Sequence, residues 1–142
     1  MLRDVVIDYY LPKEGTRCNC AEAMINAANT YYNLNLSEDA LSAACCYGGG
    51  CGHDELCGGV SGALIVLGIL YANGARAADS PMVNVVRQEF FDRFDEVYPS
   101  ARCGFLRPTF SVPERRCESI LNVCADILEE VISKHEVVRK DA

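Results

Sequence analysis

Positive charge is scarce in this chain: 13 lysines and arginines stand against 20 aspartates and glutamates, for a net charge of −7. No stretch interleaves bases with aromatics as a nucleic-acid surface does, so no nucleic-acid partner is expected. The same shortage argues against docking on an anionic membrane surface. Long apolar runs are missing as well. The most apolar segment, Val60 to Ala72, falls short of the roughly 20 residues that a spanning helix needs, so no membrane insertion is expected. The N-terminus, Met1-Leu2-Arg3-Asp4-Val5-Val6-Ile7-Asp8, carries acids where a secretory signal would carry apolar residues. A cytoplasmic location is the expectation, and thiols there are kept mostly reduced.

Several chemical signatures are also absent. The chain has no Cys-x-x-Cys-His haem attachment site and no Cys-x-x-Cys in a βαβ setting. It shows no phosphate loop, no carboxylate dyad, no internal repeat and no segment that alternates like a half-exposed strand. No turnover reaction is named by motif, although an oxidoreductase activity is compatible with what remains. Substrate and redox partner stay unidentified at this stage.

What the chain does have is sulfur. Nine cysteines are far more than packing needs, and an odd number cannot pair completely. At 142 residues, half of them apolar, a single domain over 1–142 can bury a core without disulfide staples. In a reducing compartment, metal binding or redox work explains nine thiols better than a static disulfide frame.

The periodicity predicts an all-α fold, a compact bundle of about five helices with cysteine-bearing loops. Residues 1–16 read as a short helix or a docked arm ended by Pro12 and Gly15. Asn19-Cys20-Ala21-Glu22 is a capping box opening a helix to about Tyr32, with Cys20 in its first turn. Ser37 caps a short second helix that carries Cys45 and Cys46. A third helix begins near Asp54, runs through Val60, Leu64, Leu67 and Leu70, and stops at Asn73-Gly74. It is apolar nearly all round and belongs in the middle, covered by its own bundle or by the second copy of a homodimer. Ser80-Pro81 opens the fourth helix, stripe Val83, Val86, Phe90, Phe94, Val97. A loop with Cys103 follows, then a fifth helix from near Pro113 to about Val138, with Cys117 one turn inside it.

The centre of interest is the run Gly48-Gly49-Gly50-Cys51-Gly52-His53-Asp54-Glu55-Leu56-Cys57-Gly58-Gly59-Val60-Ser61-Gly62, a glycine-rich loop entering a helix. A cysteine at a helix start faces the positive end of the helix dipole, which favours the thiolate. Cys57 is therefore the leading candidate nucleophile. Gly58, Gly59 and Gly62 form a small-residue face open to a helix or a cofactor. Cys51 and His53 could serve as resolving thiol and base, or as extra metal ligands. Cys18 is expected close to Cys20, Cys124 reads as core, and His135 as inert.

The order Asn19-Cys20-Ala21-Glu22, Gly48-Gly49-Gly50, Cys57-Gly58-Gly59-Val60-Ser61-Gly62, then single Cys103 and Cys117, resembles the redox-active protein family named for its C-GCAxxG-C-C motif. It is also similar to the helical domain of split-Soret cytochromes. The resemblance spans about Tyr9 to Val131 and maps the four signature cysteines onto Cys20, Cys57, Cys103 and Cys117. Gly59 stands where that pattern has alanine. Two chemistries remain open. In one, Cys57 exchanges with a disulfide or transfers electrons, and Cys20, Cys103, Cys117 or Cys51 resolves the intermediate. In the other, Cys20, Cys57, Cys103 and Cys117 ligate an iron–sulfur cluster or zinc, making an electron carrier, sensor or metal-handling module. A third reading is a helical interaction module with thiols as filler.

Overall fold

The computed structural model describes residues 1–72 and 74–139. Among them are seven α-helices: α1 (Leu2–Tyr10), α2 (Cys20–Tyr31), α3 (Glu38–Ser42), α4 (Gly58–Ala72), α5 (Pro81–Val97), α6 (Cys103–Phe110) and α7 (Glu118–Lys134). The described residues include no strand beyond two isolated bridges, Leu56 with Arg102 and Val112 with Arg116. The fold is all-α. None of the described helices is long and apolar enough to cross a membrane.

α4 sits in the middle, packed by α2, α5 and α7, while α1 closes over α2 and α7. Its composition dictates that place: from Gly58 to Ala63 every residue is buried, and Val66, Leu67, Leu70 and Tyr71 continue the burial. Gly62 permits the tight crossing with α2, because a Cβ there would stand 2.9 Å from the Ala21 carbonyl oxygen. The expected stop at Asn73 lies outside the described residues. Near that end of the helix the Leu70 carbonyl accepts N–H bonds from Val138 and Arg139, which satisfies one carbonyl of the last turn.

α2 begins as its capping box requires: Asn19 Oδ1 accepts from the Glu22 N–H and Glu22 Oε1 from the Asn19 N–H. Of the stripe Cys117, Ile120, Leu121, Cys124, Ile127, Leu128 and Val131 that the spacing predicts, all but Cys117 are buried on α7; Cys117 is half-buried and caps the helix.

Four boundaries differ from the expectation. α4 starts at Gly58 rather than near Asp54, because Cys51, Gly52 and Asp54 all hold positive φ and the chain coils as a wide π turn over Gly50–Asp54. Cys45 and Cys46 lie in a separate 3-10 turn, Cys45–Tyr47, beyond the end of α3. The Cys103 segment is not a loop but opens α6. α7 begins at Glu118 instead of Pro113 and ends at Lys134, since residues 112–116 are held in a turn closed by reciprocal bonds between Val112 and Arg116. Along α5, Val97 is exposed rather than buried, although Phe94 and Tyr98 on either side of it are buried, so the helix turns Val97 away from the core at its last residue.

Candidate functional site

The four signature cysteines all stand at helix starts. Cys20 is the first residue of α2 and Cys103 of α6, Cys117 caps α7, and Cys57 directly precedes α4 with its carbonyl accepting from the Val60 and Ser61 N–H groups. Two of them are tied together by backbone. The Cys57 N–H donates to the Ala101 carbonyl at 2.8 Å and the Cys103 N–H to the Glu55 carbonyl at 2.6 Å, so segments 55–57 and 101–103 lie side by side. Cys117 is placed by α1, its N–H donating to the Tyr10 hydroxyl at 3.2 Å.

Close approach is made possible by missing Cβ atoms. A Cβ on Gly58 would lie 2.1 Å from Cys20 Sγ, and one on Gly50 would lie 2.5 Å from Cys103 Cβ. As a result Cys20, Cys57, Cys103 and Cys117 line one cavity of about 70 Å³, together with Gly58, Tyr10, Arg107 and Arg116. Gly58 borders this space. Gly59 instead meets α7, where its Cβ would stand 2.9 Å from Cys124 Sγ, and Gly62 meets α2. Of the small-residue face, only Gly58 is open to the cavity; helix contacts occupy the other two.

Burial and hydrogen bonding set the titration of the thiols. Cys57 is pulled from the ordinary 9.0 down to about 7, first by the Cys124 thiol donating to it, then, against the cost of burial, by the N–H groups of Val60 and Gly59. Cys124 is pushed well above 9.0 by that same contact and by its burial. The two sulfurs thus hold one proton readily and lose the second with difficulty. Cys20 is pushed up to about 11 by burial, which outweighs its bond from the Gly49 N–H. Burial also raises Cys103 and Cys117, opposed by Arg107 at the first and by Tyr10, Arg116 and Arg107 at the second. A helix start is worth ~0.3–1 kcal/mol to an anion, less than one pKa unit. That is too little to offset burial at three of the four positions. The donor on Cys124 separates Cys57 from the rest.

Cys124 is the residue that sequence reading undervalued. It lies on the apolar stripe of α7 and is fully buried, so it looked like core, and it is core. No local pattern announces that its sulfur faces another thiol. Replacing it tests the contact: in Cys124→Ala, the Cys57 titration midpoint should rise by about one unit or more from its value near 7. Alkylation of Cys57 as a function of pH measures this, and an unchanged midpoint would remove Cys124 from the account.

The other candidates lie elsewhere. Cys51 and His53 are exposed on the π turn and do not line the cavity. Cys45 is exposed, with its thiol 3.3 Å from a Glu22 carboxylate oxygen, and Cys46 is exposed beside it. Cys18 is half-buried, its sulfur 4.0 Å from the Asn26 amide. His135, expected to be inert, follows the end of α7 and places Nε2 2.5 Å from Glu89. All nine thiols are free. Among the described residues no group of three histidine, cysteine, aspartate or glutamate side chains is arranged to hold one metal ion.

No curated protein and no solved structure matches the chain. A family model described as "Putative redox-active protein (C_GCAxxG_C_C)" matches residues 18–131, a span containing all four cavity thiols. The chain therefore belongs to the C_GCAxxG_C_C family.

Proposed function

We propose that this protein carries out thiol–disulfide chemistry with Cys57 as the attacking thiolate and a second cavity thiol, Cys20, Cys103 or Cys117, as the resolving group. The observation that carries the reading is the contrast at one cavity: Cys57 ionises near 7 while its three neighbours are pushed above 9.0. An attacking thiol works best with a pKa near ambient pH, and the resolving thiol must stay protonated until the mixed disulfide has formed. The cysteine-ligated metal centre, with an iron–sulfur cluster or zinc on the same four residues, has less support. Among the described residues no three of these side chains are set to hold a single metal ion.

The pH profile of alkylation tests the proposal. Cys57 has its pKa lowered, so its thiolate is present above pH ~7 and is lost as pH falls through that value. With iodoacetamide on the reduced protein and peptide mass spectrometry as readout, the Cys57 midpoint should lie near pH 7. Those of Cys20, Cys103 and Cys117 should lie above 9.0. Burial slows the absolute rate but leaves the midpoint in place. A Cys57 midpoint at or above that of its neighbours would overturn the reading. Iron with labile sulfide, or zinc, in stoichiometric amount after anaerobic purification would replace it with the metal-centre reading.

A further inference from the structure

The thiol cavity has an outer room. A second cleft of about 430 Å³ shares Tyr10, Arg107, Arg116 and Cys117 with the cavity and is completed by Ser111, Val112 and Pro113. In a chain with a net charge of −7, no aspartate or glutamate lines either space, and the two charged side chains present are both arginines. That reversal of sign at the entrance to a set of nucleophiles needs an explanation.

Arg116 is held for a purpose other than an ion pair. Its guanidinium lies over the Tyr10 ring, 4.5 Å from the centroid. Its backbone is clamped at positive φ by reciprocal bonds with Val112, at 3.0 and 2.6 Å. It has no carboxylate partner among the described residues, and its Nη1 is shut off from solvent without any hydrogen-bond partner there. Buried guanidinium nitrogens are normally satisfied; here the Arg116 charge lines both spaces without a protein acceptor, which leaves it available to an anion. Arg107 faces the same space and is steadied by Asp54 at 2.6 Å, which leaves other donors of its fork free.

We infer that Arg107 and Arg116 form a docking site for an anionic small-molecule disulfide, one whose carboxylates sit in the outer cleft while its S–S bond enters the thiol cavity. Arginine forks match carboxylate geometry, and the combined space suits a small molecule. A protein disulfide would have to reach a Cys57 that is only 7% exposed. The inference rests on Cys57 being the nucleophile. In the first step the Cys57 thiolate attacks one sulfur of R–S–S–R, forming Cys57–S–S–R and releasing R–S⁻. In the second step a cavity thiol attacks Cys57 Sγ. Its proton goes to the departing sulfur, R–SH leaves, and an internal disulfide remains. The substrate gains two electrons and the chain loses two.

The test compares dithiodiglycolate, a dianion, with bis(2-hydroxyethyl) disulfide, which is neutral, in single turnover with the fully reduced protein. Mass spectrometry follows the mixed disulfide at Cys57. In Arg116→Gln the rate with the dianion should fall about five- to tenfold relative to the neutral disulfide, with a smaller fall in Arg107→Gln. In wild type, raising salt to about 1 M should reduce the preference in the same way. That arm holds even if Arg116→Gln fails to fold, and Arg116→Lys supplies a charge-preserving control. Equal selectivity in wild type and variants, with no salt effect, would overturn anion docking while leaving Cys57 as nucleophile. Failure of Cys57 to react with either disulfide, or with iodoacetamide near neutral pH, would overturn both readings.

Discussion

Replacing Cys57 by serine should remove nearly all thiol reactivity inside the cavity at neutral pH. With its pKa at about 7, Cys57 is about half ionised there. A neighbour at or above 9.0 is ionised to roughly one part in a hundred or less. Because the thiolate is the attacking species, labelling of cavity thiols at pH 7 should fall about 25-fold or more. The surface thiols Cys45, Cys46 and Cys51 should be unaffected. Serine is nearly isosteric, so the fold should survive, and an intact far-ultraviolet circular dichroism spectrum checks this. Retained cavity labelling in Cys57→Ser would mean that another cysteine is the nucleophile.

Placing valine at position 58 should both destabilise the protein and expel Cys20 from the cavity. The missing Cβ would stand 2.1 Å from Cys20 Sγ and 3.2 Å from the Tyr47 carbonyl oxygen. One neighbour must move, and the thiol is the softer of the two. Overpacking of this kind costs about 1–3 kcal/mol, which should lower the urea midpoint clearly. Cys20, turned toward solvent, should lose the burial that lifts it to about 11 and titrate closer to its ordinary 9.0. Gly68→Ala provides the contrast within the same helix. A Cβ there would touch nothing within 4 Å, so the change should gain up to about 1 kcal/mol from helix propensity. If Gly58→Val were as stable as Gly68→Ala, with Cys20 titrating as before, the close approach of α2 and α4 would not be what holds Cys20 in place.

Both predictions concern the same region but probe different levels of organisation. The first is chemical: hydrogen bonding at Cys57 outweighs burial, and burial wins at the other three thiols. The second is mechanical: a glycine sets how near two helices can come, and that spacing decides whether two sulfurs share a cavity. A third level is electrostatic: the cleft outside the thiols is lined by Arg107 and Arg116 in a chain of net charge −7.

Local chemistry was enough to write much of the fold into the sequence. The Asn19–Glu22 box opens α2, Pro81 opens α5, and the apolar run after Val60 makes α4 central, because each signal acts within a few residues. The start of α4 was misplaced because Asp54 is a good cap in composition yet sits at positive φ in a π turn. α6 was missed because Cys103-Gly104 and Pro108 look like loop residues, whereas this helix is anchored by a distant segment, through the bond from Cys103 to Glu55. Cysteine number pointed to metal binding or redox work, and the resemblance to the C-GCAxxG-C-C motif singled out four of the nine. That Cys124 on α7 meets Cys57, and that Arg107 and Arg116 line the space beside the thiols, were decided by contacts between segments far apart in the chain. Those depend on burial and sulfur-to-sulfur proximity, which no local pattern encodes.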